Sequence, residues 1–153
     1  MDKAVRNFVE LSAVRDTAGP SIELQISFSC DGFSGQGAAY FDARVLETSA
    51  EKLQVFPLPS VDPITIEGGH FDPSHPGVLC EKHVSLRFST GDRSPIELRV
   101  AAGVPWNHKR GMRHWSEVTF LIDYVQVEAF STALSVLAGG GEASVTIDLQ
   151  AFG

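Results

Sequence analysis

The sequence has few cysteines and no long apolar run, and both shortages narrow the class of protein. Cys30 and Cys80 are its two cysteines, and their segments show no paired spacing. This favours reduced thiols over a disulfide framework, although the sequence leaves one structural disulfide open. No segment approaches the roughly 20 consecutive apolar residues that span a bilayer, and the first residues show no signal-peptide cleavage site. We therefore expect a cytoplasmic protein.

Basic residues are also in short supply. The chain has 12 basic and 19 acidic side chains, which give a formal net charge of −7 at pH 7. This charge argues against nonspecific binding to nucleic acid or to an anionic membrane, because both require positive charge. It would attract a basic protein partner, although many proteins carry such a charge for solubility alone. With 43% apolar and 20% charged residues among 153, the composition indicates one globular domain with its own core.

The chain repeats part of its own sequence, which predicts an internal duplication. Ile22–Ile26 matches Ile96–Val100 at an offset of 74, and Ile64–Glu67 matches Val145–Asp148 at an offset of 81. The larger offset also aligns two predicted helices. The change of offset means that the second copy carries seven extra residues, in or near Val104–Trp115.

Two helices are predicted, one in each copy. The first covers about Leu46–Phe56 and is stopped by the prolines that follow it, and the second covers about Val125–Ala138 and ends at Gly139–Gly141. Asp42 and Asp123 precede the two helices, where a carboxylate interacts favourably with the positive end of the helix dipole. Each copy is thus predicted to contain three strands, a helix and a fourth strand.

We predict an α+β fold of one domain, made of pseudo-repeats at about 7–67 and 82–150 that a linker at 68–81 joins. Alternating strands and helices with one apolar stripe favour a mainly antiparallel sheet of about eight strands, with both helices on one face. Two smaller sheets are the alternative.

The linker region concentrates residue types that bind zinc. Their spacing matches no tetrahedral site that we can justify, and the surrounding prolines and glycines indicate an exposed connection. No catalytic signature surrounds them either. We therefore predict no cofactor and no enzymatic activity, with a metal-binding module or metal-dependent enzyme as the alternative. That alternative would use His70, Asp72, His75, Cys80 and His83.

The insertion in the second copy holds the best candidate for a binding site. Between Trp106 and Trp115 the chain concentrates basic and histidine side chains, although it is acidic elsewhere. Tryptophan and arginine are enriched at binding hot spots, and loops often carry function. The alternative is a solvated hairpin tip with Trp115 in the core. The predicted partner-binding residues are Trp106, His108, Lys109, Arg110 and Arg113.

The segment GFSGQGAAYF, Gly32–Phe41, followed by a helix with leucines at positions 46 and 53, resembles the WapI-type immunity proteins. These bacterial cytoplasmic proteins neutralise toxins that neighbouring cells deliver. The resemblance covers roughly Ile22–Leu149, with Phe33–Gly35 as a turn and Phe130–Leu137 as the second helix. The chain departs from the family pattern at Ser49, where the family has an aromatic residue.

The resemblance implies stoichiometric inhibition of a protein toxin, without turnover and without a cofactor. An acidic protein suits this role if the toxin is a basic nuclease, because opposite charge accelerates association. A structural protein that pairs with a second copy through an exposed sheet edge is a further alternative, because open edges invite pairing.

Overall fold

The computed structural model describes residues 7–15, 21–59, 61–75, 77–90, 96–107 and 112–148. Both halves of the chain have the same order of elements, three strands, one helix and one strand. The common origin of the halves stays a prediction. In chain order the elements are β1 (Phe8–Arg15), β2 (Ser21–Cys30), β3 (Phe33–Asp42), α1 (Ala43–Leu53), β4 (Ile64–Phe71), β5 (Leu79–Thr90), β6 (Ile96–Asn107), β7 (Met112–Ile122), α2 (Tyr124–Ala138) and β8 (Ser144–Asp148).

The eight strands form two antiparallel sheets of four strands each. Sheet A has the order β3-β2-β1-β8, and sheet B has the order β4-β5-β6-β7. The α+β class is confirmed, but the strands divide into two sheets, as in the alternative, rather than forming one. Each sheet takes three consecutive strands from one half of the chain and a fourth strand from the other half.

Alternation along the strands separates a buried face from an exposed one in both sheets. In β2, Ile22, Leu24, Ile26 and Phe28 are all buried, and the polar residues between them point to the other face. The same pattern recurs in β5, where Val84, Leu86 and Phe88 are buried. Buried side chains from both sheets and both helices form one continuous core.

Both helices begin at an aspartate N-cap, which confirms the role expected for these acids. The Asp42 side chain accepts a hydrogen bond of 2.8 Å from the Arg44 backbone N–H. Asp123 accepts one of 2.9 Å from the Gln126 backbone N–H, and the Gln126 side chain accepts one of 3.0 Å from the Asp123 backbone N–H. The second helix ends where the glycines predict, with Gly139 as its C-cap. Within the described residues, no helix is both long and apolar enough to cross a membrane.

The two helices pack against each other at equivalent positions. Ser131 is 1% exposed, and its Oγ donates a hydrogen bond of 2.8 Å to the backbone carbonyl of Ala50. These two residues are 81 positions apart, which is the offset that aligns the helices in the sequence. The polar group is therefore satisfied inside the core, as buried hydroxyls generally must be.

Strand β3 lies across the buried face of sheet B rather than alongside its strands. A Cβ atom added at Gly35 would lie 3.0 Å from Ser116 Cβ, and one added at Gly37 would lie 2.6 Å from the backbone oxygen of His83. Further along, a Cβ atom at Gly68 would lie 2.8 Å from Ala39 Cβ. These contacts follow one row of cross-strand neighbours in sheet B, Gly68–Val84–Ala102–Ser116.

Two connections differ from the sequence-based expectation. The turn between β2 and β3 is Asp31–Gly32, and both residues have positive φ, 49° and 88°. Phe33–Gly35 therefore belongs to β3, and the prediction of a turn there is wrong, because Asp-Gly is the pair that a two-residue hairpin prefers. At the predicted linker, β4 continues to Phe71 and β5 begins at Leu79, so the segment forms a hairpin between paired strands.

Candidate functional site

Two of the predicted binding residues lie in the strands of the β6–β7 hairpin. Trp106 lies in β6 and Arg113 in β7, but their side chains lie outside what the structure describes, as do residues 108–111, which include His108, Lys109 and Arg110. Strand β3 crosses sheet B at Ala102 and Ser116, and the predicted insertion extends both strands of the hairpin beyond these residues. Trp115 is 43% exposed, so the alternative that placed it in the core is wrong.

The candidate metal ligands of the β4–β5 hairpin form two separate groups. His75 Nδ1 lies 3.1 Å from Asp72 Oδ2 in the exposed turn. The His70 and His83 rings contact each other edge to face, with centroids 4.8 Å apart, and Cys80 is exposed. In the described part of the chain, no three His, Cys, Asp or Glu side chains converge as a metal site requires. The geometry therefore gives the metal-binding alternative no support.

The outer face of sheet A carries acidic side chains and no described basic one. We call this surface the acidic face. Cross-strand pairing places Glu10 beside Ser27, which in turn lies beside Gln36, and it places Glu23 beside Tyr40. A shallow depression of about 410 Å³ lies on this face. The residues of the acidic face are Glu10, Ser12, Glu23, Gln25, Ser27, Gln36, Ala38 and Tyr40.

Hydrogen bonds keep part of the acidic face ionised. Gln25 Nε2 donates a hydrogen bond of 2.9 Å to Glu23 Oε1, and Tyr40 also bonds this carboxylate. The bond from Gln25, and then that from Tyr40, lowers the pKa of Glu23, because hydrogen bonds to the charged form favour it. Glu23 therefore stays negative below the pH at which an ordinary glutamate begins to protonate.

An open cleft of about 750 Å³ continues from the acidic face to the β6–β7 hairpin, and we call it the intersheet cleft. It shares Ser27 and Gln36 with the acidic face. Its sheet B wall includes Gly103 and Trp115, which belong to the lengthened hairpin, and its sheet A wall includes Phe8 and several serines. None of the described residues that line it is lysine or arginine, and His114 adds an imidazole. The cleft offers hydroxyl, amide and aromatic contacts.

The outer face of sheet B has a different charge pattern. Lys82 Nζ lies 2.6 Å from Glu67 Oε2, and Arg99 Nε lies 3.2 Å from Glu117 Oε1. Both pairs are largely exposed, so each contributes little to stability. They nevertheless balance positive against negative charge on this surface. Of the two outer sheet faces, as far as their residues are described, only that of sheet A therefore carries negative charge without basic side chains beside it.

The sequence contains a partial signal for the acidic face, which is a lack of basic residues and not a motif. From Ser21 to Asp42 the chain has three acidic residues and no lysine or arginine. This segment folds into β2 and β3, which are adjacent in sheet A. Of these three acids only Glu23 lies on the acidic face, so the absence of lysine and arginine from the hairpin is the only part of the signal that points to this surface.

Neither protein-family models, nor curated proteins, nor solved structures give a match to this chain. Function is therefore inferred from the residues and their geometry.

The two cysteines should differ in reactivity. Cys80 is exposed, whereas burial, and then the neighbouring Asp31 carboxylate, raises the pKa of the half-buried Cys30 thiol. Only the thiolate is nucleophilic, so a raised pKa slows alkylation at a given pH. We expect iodoacetamide at neutral pH to modify Cys80 first, and the Cys30 rate to rise as the pH is raised. Peptide mass spectrometry over time measures both rates.

Unfolded protein provides the control, because both thiols should then react at similar rates. Faster modification of Cys30 than of Cys80 in the folded protein would contradict the burial described here.

Proposed function

We propose that this chain is a non-catalytic binding protein of the immunity type, which inhibits a basic protein toxin by covering part of its surface. The proposal places it in the bacterial cytoplasm and includes no cofactor. The observation that carries it is the segregation of charge: the acidic face holds Glu10 and Glu23 and no described basic side chain.

Electrostatics favours a basic partner for this surface. Nuclease toxins bind phosphate groups and therefore carry clusters of lysine and arginine, which an ionised carboxylate attracts. The described acidic side chains of sheet A act at long range and raise the rate of encounter. The lowered pKa of Glu23 extends this attraction to more acidic solution than an ordinary glutamate would allow.

Shape and composition favour a protein rather than a small molecule. The acidic face is a broad, shallow surface, and the intersheet cleft is open to solvent. Serine, glutamine, glycine and exposed aromatic side chains adapt to a protein surface, and antibody paratopes rely on a similar set. A partner that contacts both surfaces would also reach the hairpin with the predicted residues Trp106, His108, Lys109, Arg110 and Arg113.

Co-expression tests the proposal directly. The chain is produced together with the C-terminal domain of the protein encoded immediately upstream, and growth of the host and co-purification are measured. We expect the domain alone to be toxic, and the chain to restore growth and form a one-to-one complex. Absence of both toxicity and complex would contradict the proposal.

Charge reversal then tests the surface. The double variant Glu10→Lys, Glu23→Lys should slow association with the toxin domain at least about tenfold at low salt, with a smaller difference at high salt. The matched control is Glu47→Lys, Glu51→Lys, which changes the net charge equally on the exposed side of α1. Equal effects of the two double variants, measured by stopped-flow binding, would remove the acidic face from the proposal.

A further inference from the structure

The outer edge of β7 is built to pair with another strand. Among the described strands, β7 is an edge strand of sheet B, runs for 11 residues and has β6 as its neighbour. Its outward positions include two large apolar side chains, Trp115 and Leu121, which are 43% and 42% exposed. Proteins usually protect such edges with charge, proline or a covering element, because unpaired backbone groups attract other strands.

The two exposed apolar side chains of β7, Trp115 and Leu121, lie three positions before and three positions after Val118. In an antiparallel pair of identical strands, one residue lies on the two-fold axis and faces itself. With Val118 on the axis, Trp115 lies opposite Leu121 of the second copy, and Glu117 lies opposite Thr119 of the second copy. Each copy thus covers the exposed apolar side chains of the other, and aromatic–aliphatic cross-strand pairs are stabilising.

Neighbouring registers lack this match. An axis at Glu117 would place two carboxylates directly opposite each other, which is unfavourable on a sheet. An axis at Thr119 would place Glu117 opposite Leu121. Of these three axes, the one at Val118 pairs apolar with apolar side chains and keeps Glu117 away from its own copy.

Charge complementarity favours the same arrangement. Arg87 lies directly beside Arg99 on the outer face of sheet B, and the same row continues to Thr119 at the edge. In the paired sheet the next position in this row is Glu117 of the second copy. The row that carries two guanidinium groups in one chain therefore continues with a carboxylate from the other, which already pairs with Arg99 of its own chain at 3.2 Å.

We propose that the chain forms a symmetric homodimer in which the β7 strands of two copies pair antiparallel about Val118, giving one continuous eight-stranded sheet. The inference does not rest on the proposed function, but it uses Trp115, which also lines the intersheet cleft. The acidic face points away from sheet B, so both acidic faces of the dimer stay open.

Sedimentation equilibrium of the full chain over about a hundredfold range of concentration tests the dimer, because mass action makes association depend on concentration. The mass should rise from 16.5 kDa to twice that value. Leu121→Glu should weaken association at least about tenfold, because it places a charge against Trp115 of the second copy. The control Val61→Glu changes a side chain that is 86% exposed elsewhere and should leave association unchanged. Circular dichroism checks that both variants fold.

Cross-linking tests the register in a variant that has Cys30→Ser and Cys80→Ser. Val118→Cys should oxidise readily to a covalent dimer, because residues that face each other across the axis are close enough for a disulfide. Glu117→Cys should not, because its opposite neighbour is Thr119 of the second copy. A wild-type mass of one chain throughout, an unaffected Leu121→Glu dimer, or cross-linking of Glu117→Cys rather than Val118→Cys would each overturn the proposal.

Discussion

Replacement of Phe130 by alanine should lower the free energy of unfolding by about 3–5 kcal/mol. The side chain lies on α2, is 0% exposed and contacts the Phe88 ring edge to face, with centroids 5.4 Å apart. Its removal leaves a cavity that the closely packed neighbours fill only in part, so the packing contacts of the ring are lost without replacement. Chemical denaturation with guanidinium, followed by circular dichroism, measures the difference.

Phe33→Ala is the matched control for this substitution. Phe33 begins β3 and is 69% exposed, so its removal should change the free energy of unfolding by no more than about 0.5 kcal/mol. Equal losses in the two variants would contradict the burial of Phe130 in the core.

Gly37→Ala should destabilise the fold through the crossing of β3 and sheet B. The new Cβ atom would lie 2.6 Å from the backbone oxygen of His83, 3.1 Å from the Gly103 backbone nitrogen and 3.2 Å from Ala102 Cβ. Two of these atoms belong to backbone within a sheet, so they cannot rotate away as a flexible side chain would. We expect a loss of about 1–3 kcal/mol from overpacking, measured by the same denaturation experiment.

Gly139→Ala separates this steric effect from the general effect of adding a methyl group to glycine. Gly139 caps α2 with φ of −79°, and an added Cβ atom would have its nearest neighbours at 3.6 Å. Its stability should therefore stay within about 0.5 kcal/mol of the wild type. If Gly37→Ala were equally harmless, β3 would not approach sheet B as closely as described.

Local features of the fold could be predicted from the sequence because they depend on neighbouring residues. Alternation identified β2, and the glycines at 139–141 marked the end of α2. Both helices begin directly after the aspartates at 42 and 123, but the first helix, predicted over about Leu46–Phe56, in fact covers Ala43–Leu53. The division into two sheets could not be predicted in the same way. A period of two assigns each side chain to a face, but it does not say which strand becomes the neighbour of β4 or β8.

The candidate site was predictable only in part, for a similar reason. The insertion near Trp106 stands out in the sequence because its composition differs from that of the remaining chain. The acidic face does not, because Glu10 and Glu23 lie on different strands and become one surface only when β1 and β2 pair. The match between Trp115 and Leu121 likewise acquires meaning only because β7 lies at the edge of its sheet.

Each half of the chain contributes its fourth strand to the sheet of the other half, and this affects when the protein can fold during translation. The first strand, β1, is completed on its outer side by the last strand, β8, and β4 finds its neighbour in β5. The first half therefore cannot complete its strand pairing before β8 is translated, since both sheets depend on strands from the second half. Such distant pairings slow folding and leave edges open in the nascent chain. Sheet A is therefore complete only after β8 has left the exit tunnel.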